Sequence, residues 1–507
     1  MALNLASRLQ VTAHYFWNRR NAAALSHHGV RLDYDPEQRR ISAAILGAVL
    51  LLIAIALSAL MGYIKPAGQV GSSPILADRD SPQIYVLVDG KLHRALNLVS
   101  AQLISGQHVQ PTFVKADELA KYPLGPQVGI VGAPTAMPIR TGMESAWAVC
   151  DTAPAATATT SAGHAPIVTG IAGPVTLGDR SQPLKMPNAV LAKHGDTTFV
   201  VWDGHRSDID LNNKAVALAL GVDSAAPQPV PMSTALYDAI PATDPLIVPA
   251  IPGAGQPSPW NLGNGVVIGS VLSERDLQSK EELYYVLLPN GVQRVSTFVA
   301  SLLRSANSFG DTAPVAVSPD KLAAVPVVNS LPVSYYPPTR LHLVDTTVDG
   351  TTCLAWSKSN GDTAASVQVL SGQGLPIPPS QDGRVQPLVK DSGDGLAAVE
   401  ADQVYIAPGS TNLVMTTNAD PASVSRDAMW WVSDDGVRYG VALEDSTLKP
   451  LGITTASAGR APWSLIRTFA AGPALSAADA ATQHGGAVGA DGPVAVLPTK
   501  SASAQGH

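Results

Sequence analysis

The chain has 507 residues and a net charge of −7, with charged residues making up only 14% against the roughly 25% typical of soluble proteins. No long basic run breaks this balance, which argues against a nucleic-acid partner. Its 43 Gly and 41 Pro favour turns and short strands over long helices, and two cysteines alone cannot build a four-ligand structural zinc site.

In chain order, residues 1–40 form a basic head with a helix-like stretch from about Leu5 to Leu25. Arg8, Arg19 and Arg20 accompany Tyr15, Phe16 and Trp17 there. Basic residues beside bulky aromatics suit a helix lying at a membrane surface or against a partner, with Phe16, Trp17, Arg19 and Arg20 as the docking set. The alternative is a solvated segment whose arginines only set orientation. From Ile41 to Ile64 no residue is charged, long enough to cross a hydrocarbon core of about 30 Å as a helix. Arg8, Arg19, Arg20, Arg31, Arg39 and Arg40 before it outnumber Asp33, Asp35 and Glu37. The positive-inside rule therefore predicts a cytoplasmic N-terminus and an outside C-terminal part. A cleaved signal peptide fits poorly, because the polar lead and the apolar run are both too long.

An outside location bears on Cys150 and Cys353. In an oxidising compartment two cysteines in so large a domain are expected to be bridged, two buried thiols being the alternative. Their contexts echo one another as strand pieces, Ala146-Trp147-Ala-Val-Cys150 and Cys353-Leu-Ala-Trp356.

A linker is expected over 65–83, and then one pattern recurs four times. An apolar run meets Asp89-Gly90, Asp203-Gly204, Asn290-Gly291 and Asp435-Gly436, each reading as the positive-φ turn of a tight hairpin. About thirty residues later a Leu-centred short helix leads into Pro123, Pro241, Pro326 or Pro473, and two signals recurring together four times indicate an internal repeat. The expected repeats are 84–138, 198–250, 282–337 and 429–473. Strand-rich stretches at 139–197 and 338–428 then form a central domain shared by two duplicated halves, with a linker at 251–281. Residues 474–507, rich in Ala and Gly, read as a flexible tail. The expected fold class is α+β and β-rich: one N-terminal transmembrane helix plus a domain of four β-hairpin/helix repeats around a central strand-rich domain.

No catalytic constellation emerges, and neither metal nor cofactor is expected. The sequence has no G-x-x-x-x-G-K-[ST] phosphate loop and no G-x-S-x-G nucleophile elbow. Gly263-Asn-Gly265-Val-Val-Ile-Gly269 misses the dinucleotide spacing and reads as a turn entering a strand. His27-His28 reads as a surface pair and Asp78-Arg79-Asp80 as an exposed charge cluster. Trp430-Trp431 and Tyr284-Tyr285 could stack a sugar, but beside hairpin turns they fit core packing better.

Several stretches together resemble the EccB family, single-pass core components of the mycobacterial type VII (ESX) secretion systems. They are Gln10-Val11 through Phe16 to Arg19-Arg20, Pro66-Ala-Gly68, Ala77-Asp78-Arg79-Asp80, Ala95-Leu-Asn97-Leu and Ser100-Ala101. Further on come Gly132-Ala133-Pro134, Trp147 with Val149-Cys150-Asp151, Ala461-Pro462-Trp463 and Gly472-Pro473-Ala-Leu-Ser476. The resemblance implies four outer repeats around a central domain carrying a disulfide, and an inner-membrane, single-pass protein with a periplasmic domain. It also implies self-association in a hexameric complex with EccC, EccD, EccE and a mycosin protease, among membrane lipids. The function it implies is assembly and structural support for protein export. A peptidoglycan-binding anchor is the alternative. Family naming also suggests a nucleotide hydrolase, for which the sequence supplies no motif.

Overall fold

The computed structural model describes residues 7–27, 36–64, 70–153, 165–222, 227–275, 280–390, 399–485 and 495–496. It is strand-rich, with short helices.

Two helices lead the chain, Arg8–His27 and Pro36–Ile64. The second has 29 residues, about 43 Å of helix at 1.5 Å per residue. Its stretch Ile41–Leu60 is long and apolar enough to cross a membrane, and side chains such as Ile45 and Leu52 are exposed. An exposed apolar helix of this length fits the hydrocarbon core of a membrane.

The repeat seen in the sequence is a recurring unit of three antiparallel strands, a helix, a strand, a short helix and a final extended segment. In the second unit the strands are Asn188–His194, Thr197–Trp202 and His205–Ile209, followed by the helix Lys214–Leu220. Val230–Pro231 then runs parallel to the first strand. Val315–Ala316 and Gly459–Pro462 do the same in the third and fourth units. The short helices Ala116–Leu119, Thr234–Ala239, Pro319–Ala323 and Trp463–Ile466 come next. In the first three units the proline that ends this signal has a defined task. Pro123, Pro241 and Pro326 accept from the third-strand amides of Leu92, Arg206 and Val292, a pairing that uses their carbonyls and leaves the missing N–H without consequence.

Each unit begins one strand earlier than its sequence signal. Ile75–Asp78, Asn188–His194, Val271–Arg275 and Leu413–Thr417 pair with the strands that carry the first apolar run. The turns also differ among themselves. Asp89, Gly90, Asp203 and Gly204 all have positive φ, as a two-residue mirror-image turn requires. In the third unit Leu288 pairs with Gly291, so Pro289 and Asn290 make the turn and Gly291 opens the next strand. In the fourth, Ser433 bonds Val437 across the loop, and Gly436 with φ 82° serves a longer loop in which Asp435 keeps negative φ.

Helix starts are fixed locally. Asn97, Asn213 and Ser296 each accept from amides of the first turn of the helix they precede, which satisfies otherwise orphaned donors. The four units pack in two pairs, the first with the fourth and the second with the third. The helix Leu98–Ser105 lies against Asp445–Leu451, and Lys214–Leu220 against Thr297–Ala306. Val99, Leu103, Leu448 and Leu451 share one core, and Val216, Leu220, Phe298 and Leu302 another.

The central domain is one sheet with strand order Gln386–Pro387, Gln403–Ile406, Ile167–Ala172, Glu144–Thr152, Thr351–Ser359, Ser366–Gly372, Ser181–Pro183. Its halves are interleaved. Ser181–Pro183 of the first half edges the second-half strands, and Gln403–Ile406 does the reverse. The middle strands, one from each half, pair antiparallel with Cys150 opposite Cys353 and Trp147 opposite Trp356. Alternation sends Trp147, Val149, Leu354 and Trp356 into a core with Phe199, Leu236 and Phe469, while Ala148, Cys150, Cys353 and Ala355 face the other side with Ile171 and Leu370.

The chain also stays folded past 474. Leu475 and Ala480 are buried, Ala477–Ala480 is helical, and Thr482–His484 pairs with Gln127–Val128 of the first unit. A low-complexity reading missed this because Ala and Ser suit both a tail and a tightly packed helix end. Of residues 486–507, only 495–496 are among those described.

Candidate functional site

Three arrangements could carry function: the locked centre of the sheet, the joint between that sheet and the second unit, and the N-terminal helix.

Cys150 and Cys353 are disulfide-bonded, 203 residues apart in sequence, and both are fully buried. The bridge spans directly opposed residues of an antiparallel pair with Cα atoms 4.0 Å apart, a spacing reached at close-set pairs. Small neighbours, Ala148 and Ala355, leave room for the sulfurs.

One residue along, Asp151 ties the sheet to the second unit. Its carboxylate accepts from the Ser233 amide and the Ser233 hydroxyl, both at 2.6 Å. Ser233 in turn caps the helix Thr234–Ala239 through the Leu236 amide. Burial pushes Asp151 up to about 6, against the lowering effect of the Ser233 hydrogen bonds. A carboxyl whose folded value is raised binds its proton more tightly when folded, so stability falls as pH rises from the unfolded value toward 6. Relative to Asp151→Asn, the wild-type chain is expected to lose on the order of 2 kcal/mol between pH 4 and pH 6, with parallel curves above pH 7. Urea midpoints of both chains across that range check the sign; a difference that stays constant with pH would refute it.

The N-terminal helix presents Tyr15, Phe16 and Trp17 to solvent, with Trp17 63% exposed. Its four expected docking residues do not share one face. Phe16 and Arg20, four apart, lie together, with the Arg20 guanidinium 5.7 Å from the Phe16 ring centre. Arg19 falls one turn beyond Tyr15 on the neighbouring face. His27 ends this helix, and His28 lies outside the described residues.

Other candidate residues have structural tasks. Trp431 is buried, and Trp430 stacks on Trp463 with ring centres 5.1 Å apart. Arg438, 2% exposed, lies over both Trp430 and Trp463 and donates to the Phe469 carbonyl. Trp430 and Trp463 are themselves half-buried, and their stack with Arg438 is a packing contact of the fourth unit. Tyr284 and Tyr285 are half-buried and bond Glu282 and Glu274 through their hydroxyls. The Asp78 carboxylate accepts from the Asp80 amide in a surface turn. Leu262 and Val266, on either side of Gly263-Asn264-Gly265, are buried and share a core with Leu272 and Leu287, so this part of the expected linker is packed into the third unit. Among the described residues, no group of three or more His, Cys, Asp or Glu side chains is placed to hold a metal. Sequence reasoning missed the roles of Ser233, Arg438 and Trp463, since a capping serine or a buried arginine shows only when its partner is known.

The comparisons agree on one family. The family described as "Type VII secretion system ESX-1, transport TM domain B" matches residues 3–488. The protein named "ESX-2 secretion system ATPase EccB2" of Mycobacterium tuberculosis (strain ATCC 25618 / H37Rv) is 47% identical, over 98% of this chain and 99% of its own length. A chain in the structure of an intact ESX-5 inner membrane complex superposes with TM-score 0.73 at 36% identity, covering 98% of this chain and 99% of that one. A chain of the periplasmic assembly from the ESX-5 inner membrane complex gives 0.72 at 38% identity, covering 83% of this chain and 98% of that one. The repeats, the apolar helix and these matches along nearly its whole length lead to the same conclusion: the chain belongs to the EccB family of type VII secretion proteins.

Proposed function

We propose that the chain is a structural subunit of a type VII (ESX) secretion inner-membrane complex. The observation that carries this is the alignment of 98% of its residues with one chain of an intact ESX-5 inner membrane complex. In this reading Ile41–Leu60 crosses the inner membrane and the repeat domain stands in the periplasm. The arginine excess of residues 1–40 puts the head in the cytoplasm, where Phe16, Trp17, Arg19 and Arg20 dock EccC or EccD. The periplasmic units contact neighbouring copies, EccE-containing assemblies or a mycosin protease. One span thus couples a cytosolic motor contact to a rigid outer plate, made stiff by the interleaved sheet and its bridge.

The stacking of Trp430 on Trp463 with Arg438 against both rings weighs against wall-polymer stacking as the main task. Although relatives are named ATPases, we assign nucleotide chemistry to a P-loop partner, because this sequence has no phosphate loop. Phe16→Ala with Trp17→Ala and Arg20→Glu is expected to remove the chain from the complex while its thermal unfolding stays unchanged. The check is co-purification from native membranes in mild detergent. An intact complex would refute the docking role, and ATP turnover by the purified chain alone would overturn the scaffold reading.

A further inference from the structure

The fourth unit carries a long connection near its start. Its first and second strands, Leu413–Thr417 and Met429–Val432, are joined by residues 418–428, whereas the second unit joins the same strands with Gly195 and Asp196. The long connection arches back to the central sheet. The Pro421 carbonyl accepts from Ala365 in the turn region between Thr351–Ser359 and Ser366–Gly372. Arg460 holds the Ser423 carbonyl at 3.2 Å, and Arg426 holds that of Thr455 at 3.1 Å. A long ordered insertion in one copy of a repeat is where function is expected to reside.

Between the arch and the sheet end lies a cleft of about 160 Å³. Lys358, Arg426 and Arg460 line it, with Asp362 as its one acid. Arg426 is exposed, and Lys358 and Arg460 are half-buried. The three cations donate to backbone carbonyls, the Lys358 ammonium meeting that of Thr363 at 3.2 Å. Among the described residues, no carboxylate lies within ion-pair distance of them. Each guanidinium uses one nitrogen in these bonds and lines the cleft, in a chain whose net charge is −7.

We infer that this cleft binds an acidic peptide segment, with Arg426 and Arg460 taking a carboxylate and Lys358 supplying the third charge. Arginine's planar fork suits bidentate carboxylate binding. The lining also offers acceptors, the Asp362 carboxylate and nearby backbone carbonyls, which match peptide N–H groups and disfavour a bare dianion. The scaffold reading above supplies only the source of the segment, another subunit of the complex; the binding itself belongs to this chain.

The test is fluorescence anisotropy of a labelled hexaglutamate peptide with the detergent-purified full chain at low ionic strength. Wild type is expected to bind, with affinity falling as salt is added. The Arg426→Glu/Arg460→Glu pair is expected to weaken binding by roughly tenfold or more, and the exposed Lys321→Glu on another unit is expected to leave it unchanged. Because both arginines also hold the arch, Lys358→Glu is measured alongside and is expected to weaken binding with the melting curve intact. Binding unchanged in Lys358→Glu and in the pair, or no binding by wild type, would overturn the proposal. So would displacement of the peptide by inorganic phosphate at concentrations where free glutamate has no effect. None of these outcomes depends on whether the chain co-purifies with a complex, so the two readings fail separately.

Discussion

Replacing Cys150 and Cys353 together by alanine is expected to lower the unfolding free energy by about 2–5 kcal/mol. The upper end follows from chain entropy. The bridge closes a loop of 203 residues, and a loop that long removes roughly 5 kcal/mol of freedom from the unfolded chain. Alanine at two fully buried positions adds a small cavity beside Ile171 and Leu370, which acts in the same direction. The loss should not stay local. Ser181–Pro183 and Gln403–Ile406 are exchanged between halves, so loosening the middle pair frees both edges. Denaturant midpoints of the double variant against the oxidised wild type check the magnitude. Hydrogen exchange checks the spread, with faster exchange expected in Ile167–Ala172 and Ser366–Gly372 alike. A change below about 1 kcal/mol would mean that ladder and packing hold the register without the bridge.

The pairing of those cysteines could be argued from compartment and context, and the fourfold pattern from its turns. Other features were out of reach for identifiable reasons. Ile75–Asp78 and Leu413–Thr417 are short strands separated from their partners by loops of different length, so no fixed spacing marks them. The pairing of the first unit with the fourth and the second with the third is a contact between helices far apart in sequence, and amphipathicity says that a face is buried without saying against what. The cleft beside Arg426 was invisible because its cations come from the sheet end, an arch and a parallel strand. The task of Asp151 depends on Ser233, 82 residues further along the chain, a partner that no local pattern marks. Asn290-Gly291 shows a subtler failure: the dipeptide is present, yet the turn is made one residue earlier.

That glycine yields the second large effect. A β-carbon on Gly291 would stand 2.2 Å from the Pro326 carbonyl oxygen and 3.0 Å from its carbon. The obstacle is backbone that already accepts from Val292 at 2.8 Å, so no side-chain rotation relieves it. Gly291→Ala must push the 326–328 segment off its parallel pairing with the third strand, losing the bonds at Val292 and Val328 and disturbing the core formed by Val292, Leu322 and Val325. The expected cost is at or above about 3 kcal/mol, the top of the usual overpacking range. Gly90→Ala supplies the contrast. Its β-carbon would meet nothing, and only the positive φ of 77° opposes it, worth about 1 kcal/mol. Thermal unfolding of the two variants side by side decides between the roles. If Gly90→Ala proved equally or more damaging, the glycines of both units would be serving turn conformation alone, and the close approach of Pro326 would be slack that the chain can absorb.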